Sequence, residues 1–98
     1  MAASKKKAAK WVVVRSSQSG VWCGELVAEA GDTVTLANAM KAWQWSGAAA
    51  TSGLALHGPR DGKITEPVSS VKVLGVCEVI DATEEAVAAW KAVKSWIA

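Results

Sequence analysis

The sequence predicts an α+β fold: a mainly antiparallel sheet of four or five strands, a short helix within a Trp-rich insert, and a C-terminal amphipathic helix. Three observations lead there. Runs rich in β-branched residues at 10–15 and 71–80 are bounded by polar or Gly-containing turns. Residues 21–29 alternate with period 2, and residues 84–97 repeat apolar side chains at helical spacing behind a capping signal.

Residues 1–9, MAASKKKAA, have no periodic apolar face and read as a flexible cationic arm, leaving residues 10–98 as a single α+β domain. KWVVVR at 10–15 is a well-buried strand. SSQSG at 16–20 ends in a residue suited to positive φ and should join that strand to an antiparallel neighbour. In the second strand Trp22, Leu26 and Ala28 share a face opposite Glu25 and Glu29, and Gly31 with Asp32 turns the chain into a third, at 33–36.

The stretch 38–50 is irregular in this reading, and its Trp43 and Trp45, two residues apart, are expected to point to different sides whether the stretch is a strand or a helix, where they would lie about 200° apart. Thr51 or Ser52 caps a short helix through Leu54, Leu56 and His57, which stops near Gly58, and RDGKIT at 60–65 is read as a turn. VKVLGVCEVI at 71–80 reads as one central strand. The pattern Asp81, Ala82, Thr83, Glu84 then opens a helix with Ala86, Trp90, Val93 and Ile97 on its buried stripe.

Charge is unevenly placed. The first 15 residues carry five cations and no acid, while the rest holds six basic and nine acidic side chains, so the domain itself is mildly acidic and any nucleic-acid binding falls to the arm or to a local patch. No stretch of about 18 apolar residues is present, which argues against a membrane span and for a soluble, intracellular protein. Cys23 and Cys77 lie outside any CxxC pattern and are read as reduced, packed thiols, with a strand-to-strand disulfide as the alternative; no metal site or cofactor is expected. With His57 they form no local nucleophile and base motif, and Glu84 and Glu85 suit the first turn of a helix.

Arg15 and Ser16, Gly20 and Val21, Gly24 to Leu26, Asn38 and Ala39, the run from Trp43 to Ala48, Leu54 and Ala55, and Gly58 together resemble a family of small uncharacterised bacteriophage and prophage proteins. The likeness spans residues 10–81. Its most specific part is Asn-Ala, then Trp-x-Trp-x-Gly-Ala, then Leu-Ala; Gln44 departs from the aromatic residue common there. The resemblance implies a phage protein acting in the host bacterial cytoplasm, and it implies no catalytic residue.

The expected function is that of a non-enzymatic accessory binding protein that counters host defence by sequestering a small nucleotide-derived signal or blocking a host protein. An indole of Trp43 or Trp45 would stack on a base, Asn38, Gln44 or Ser46 would bond its polar edge, and Gly47 would allow close backbone approach. Arg15, beside the 16–20 turn, would either receive a phosphate or pair with Glu25 across the hairpin, and Arg60 with Lys63 would complete an anion site. Alternatives are a minor assembly or virion-associated protein and a nucleic-acid binder using the Lys-rich arm. The thin core, with 19 alanines, also points to a homo-oligomer, most simply a dimer.

Overall fold

A computed structural model describes residues 10–46 and 51–93, excluding the side chains of residues 43–46 and 61. The elements are β1 (Trp11–Ser16), β2 (Gly20–Ala30), β3 (Thr33–Ser46), α1 (Thr51–Leu56), β4 (Asp61–Ile64), β5 (Val68–Val73), β6 (Val76–Asp81) and α2 (Glu84–Ala92). All pairings are antiparallel, in the order β4, β3, β2, β1, β6, with β5 also paired to β3. The C-terminal part of β3 holds β4, and its N-terminal part holds β5.

This sheet cannot be flat. Strands β5 and β6 are four strand spacings apart along the pairing path, roughly 19 Å in a flat sheet, yet Leu74 and Gly75 alone connect them and span at most about 11 Å. The sheet rolls up instead. Register breaks between Cys23 and Glu25 and between Leu26 and Ala28 bend the long β2–β3 hairpin, as bulges do. The Asp32 carbonyl at the hairpin's tip thereby accepts from Val76 N–H at the start of β6, 2.9 Å away. Ser16 fastens the same corner: its buried hydroxyl donates to the Leu74 carbonyl and accepts from the N–H groups of Gln18 and Ser19.

Rolling gives the sheet two apolar sides. Inside lie Val12, Val14, Val34, Leu36, Ala39 and Val73, with Trp22, Leu26, Val71 and Val76 packed around them. Outside, Val13, Val21, Cys23, Met40, Ala42 and Ile64 meet Leu54 and Ala55 of α1 and Trp90 of α2. Strand β1 is buried on both sides, which is why its run is continuously apolar.

The two helices complete each other. Thr83 caps α2 by accepting from Ala86 N–H at 3.0 Å, and its hydroxyl donates to the Leu56 carbonyl at 2.7 Å. Thr83 N–H bonds the Ala55 carbonyl and Trp90 Nε1 donates to that of Leu54, so three carbonyls at the end of α1 are satisfied by α2 and its cap. Gly58 lets the helices touch: at φ +77°, a Cβ there would lie 2.5 Å from that of Ala89.

Several expectations change. The sheet has six strands rather than four or five, because residues 61–64 of the expected turn pair with β3. The expected strand at 71–80 is two strands, since Gly75 at φ +68° turns the chain between sheet edges. Residues 43–46 are not an irregular insert but the end of β3, with Gln44 opposite Lys63, Trp45 opposite Gly62 and Ser46 opposite Asp61. Residues two apart on a regular strand share a face, so the opposed indoles expected for Trp43 and Trp45 do not follow from this conformation; the register break between Ala42 and Gln44 interrupts the alternation there. Their side chains, Gly47, Ile97 and the arm at 1–9 lie outside what is described.

Candidate functional site

The grooves of the molecule gather where α2 leaves the sheet, beside the start of β1. Trp11 opens β1 on the helix side and is half buried against the outer apolar cluster. Lys91, in the last turn of α2, places its ammonium 4.7 Å from the centre of the Trp11 ring. A groove of about 670 Å³ runs to one side of this pair, past Lys10, Asp81, Glu84, Val87 and Ala88. A second, of about 540 Å³, lies to the other side, among Glu25, Asn38, Met40 and Pro67.

The polar wall of the second groove comes from the bulge in the hairpin. Glu25 stands opposite Trp11 across the β1–β2 ladder, and Asn38 adopts φ +51°, a left-handed conformation that Asn tolerates better than most residues. Asn38 Nδ2 donates to both Glu25 carboxylate oxygens, at 3.3 and 3.2 Å. At the rim, Lys10 pairs with Asp81 at 3.3 Å. The acids nearest Trp11 are therefore partnered, whereas among the described residues no carboxylate lies within 4.0 Å of the Lys91 ammonium.

Beneath the site, Cys23 is fully buried, and burial pushes its thiol up to about 12, opposed by the nearby Lys91 charge. Such a thiol stays protonated and inert at neutral pH. Cys77, expected to be packed, is exposed on β6 because its side of the bulge opposite Arg15 and Ser16 has no covering element; its Sγ donates to the Arg15 carbonyl at 3.4 Å. Both cysteines are free. Exposed His57 Nδ1 approaches Glu85 at 3.2 Å, bridging the two helices at their outer ends.

Of the ligand-binding candidates whose side chains are described, Asn38 lines these grooves, together with Glu25 and Glu84. Trp43 lies five positions further along β3, about 16 Å of extended chain, and Gln44, Trp45 and Ser46 further still. Arg15 is four positions from Trp11 on β1 and lies opposite Val21, not Glu25; its carboxylate neighbour is Glu78 at 3.9 Å. Arg60 is exposed just before β4, which is three strands from β1 in the pairing order and whose Asp61 stands opposite Ser46 of β3. By backbone register the Trp run therefore lies beside Arg60 and Lys63, and the Arg15, Val21 and Ala42 row brings Arg15 to the same end of the sheet, while Asn38 stands apart at the grooves. Trp11 and Lys91 carry no functional reading in the sequence, and Glu25 appears there only as a possible partner of Arg15; a Trp that begins a strand is the one local signal.

Among the described residues, no group of three His, Cys, Asp or Glu side chains is placed to hold a metal ion, and no helix is long and apolar enough to cross a membrane. No curated protein and no solved structure matches the chain. Residues 9–90, which take in all six strands, α1 and α2 as far as Trp90, match the family described as a domain of unknown function, DUF6948, and the chain belongs to that family.

Proposed function

We propose that the protein is a phage-encoded, non-enzymatic accessory binding protein that counters host defence in the bacterial cytoplasm by sequestering a small nucleotide-derived signal. The cleft at Trp11, Asn38 and Lys91 is its binding site. The observation that carries this reading is an indole face next to an ammonium without a carboxylate partner among the described residues, flanked by an amide. Nucleotides present the complementary set: a base to stack, an anion to pair and a polar edge to bond. Self-association as a dimer, or a contact with a host protein, accompanies this reading.

A thermal-shift panel of cyclic nucleotides and ADP-ribose derivatives tests the reading, since a ligand at 100 times its Kd adds about 2.7 kcal/mol of stability. No shift with any member counts against it. A second reading, a minor assembly or virion-associated protein, draws on the exposed apolar side chains Val27, Leu56, Val68 and Leu74. It calls for co-purification with particles and no ligand-induced shift.

A further inference from the structure

Resting on the binding reading above, we propose that Lys91 gates the cleft and that the ligand class is an aromatic anion: a planar ring bearing a negatively charged group. The Lys91 side chain borders both grooves and a smaller space of about 150 Å³ lined by Met40, Pro67 and Trp90. It is the partition between them. The ammonium lies over the Trp11 ring, attracted by the negative face of the indole.

An anion entering either groove competes for that ammonium. Cation–π attraction at an exposed site is weak compared with a charge-assisted pair, so the ammonium moves to the anion and uncovers the indole. Lys91 is exposed and carries a flexible stem, which makes the movement inexpensive. Asp81 is paired with Lys10, whereas Glu25, bonded by the neutral Asn38 amide, keeps its charge on the wall of the second groove and so favours entry of the anion by the first. Glu84 begins α2 seven residues earlier, about 10 Å along the axis.

The uncovered ring then decides which anions stay. A non-aromatic anion takes Lys91 and leaves the indole facing water, whereas a planar ring replaces the lost cation by stacking. A neutral ring has no means of drawing Lys91 away. The site therefore favours ring and anion on one molecule over either alone.

Calorimetry on the full chain tests this with four probes: AMP, naphthalene-1-sulfonate, adenosine as a ring without the anion, and ribose 5-phosphate as an anion without the ring. The expected result is that AMP and naphthalene-1-sulfonate bind about tenfold or more tighter than the other two, an advantage lost in Lys91→Gln and largely kept in Lys91→Arg. Trp11→Leu should weaken both aromatic anions as well. Lys91→Gln changes an exposed side chain, so its fold, checked by circular dichroism, provides the test if Trp11→Leu fails to fold. If the sulfonate binds with these dependences and no nucleotide does, the gate stands and the nucleotide-signal reading falls. If a nucleotide binds equally well to the parent and Lys91→Gln, the gate is overturned while that reading stands. Binding by neither aromatic anion overturns the gate outright.

Discussion

The inside of the rolled sheet and its helix-covered outside are both apolar, but they are filled in different ways. The inside is closed by the strands themselves, with Val12, Val14, Leu36 and Val73 brought together by curvature. The outside depends on two short helices that hold each other, with Trp90 supplying both bulk and a hydrogen bond to the Leu54 carbonyl. The grooves around Trp11 and Lys91 lie on this second side, beside the last turn of α2. A surface covered by small docked elements leaves such gaps, and a surface closed by its own curvature does not.

Trp90→Ala should have the largest effect, costing about 3 to 5 kcal/mol, because it opens a cavity and leaves a carbonyl unsatisfied. Chemical denaturation would measure it, and the grooves should lose their wall as α2 loosens. Leu36→Ala on the inside should cost about 2 to 5 kcal/mol without disturbing the Trp11–Lys91 corner. If its residual native state binds the cleft's ligand as poorly as Trp90→Ala does, the two sides are not separable.

Thr83→Ala removes the α2 cap and the bond to α1 together, for a loss of about 1 to 2 kcal/mol. A change below a few tenths would mean that the helices do not rely on each other as described.

Cys23 provides a pH test of the helix side. Its folded thiol titrates at about 12 against an ordinary value of 9.0, so its contribution is fully present below about pH 9 and is lost as pH rises toward 12. By pH 10 the loss is about 1 kcal/mol. Cys23→Ala should have a flatter alkaline limb in its stability profile, and an unchanged slope would show that this thiol is not what titrates. The smallest effect is expected from deleting residues 1–9, which should leave the melting temperature within a degree or two of the parent.

What the sequence revealed follows the range of each interaction. β1, the first two turns and α2 are specified by neighbours: a β-branched run, Gly20, Gly31, and Thr83 ahead of Ala86 and Trp90. β4 was missed because RDGKIT has no strand signature of its own and gains strand geometry from β3. The division at Gly75 was hidden within an apolar run, since one glycine marks either a bulge or a corner. In the site, Asn38 was found through its motif, but its pairing with Glu25 depends on a bulge that no alternation pattern discloses. The position of Lys91 over Trp11 depends on where the chain returns after 80 residues, which no local pattern discloses.

That return also governs how the chain folds. The β1–β6 ladder joins Val12 to Asp81, a separation of most of the sequence, whereas the β1–β2 and β2–β3 pairings are local. Distant pairing carries the entropy of closing a long loop before its contacts compensate, so the ladder forms late and sets the folding rate. During synthesis β1 waits as an open edge until Asp81 emerges. Its Val12 to Val14 run is then the segment most exposed to mispairing, and the acidic residues Glu78 and Asp81 on the strand that covers it complete both the sheet and its protection from aggregation.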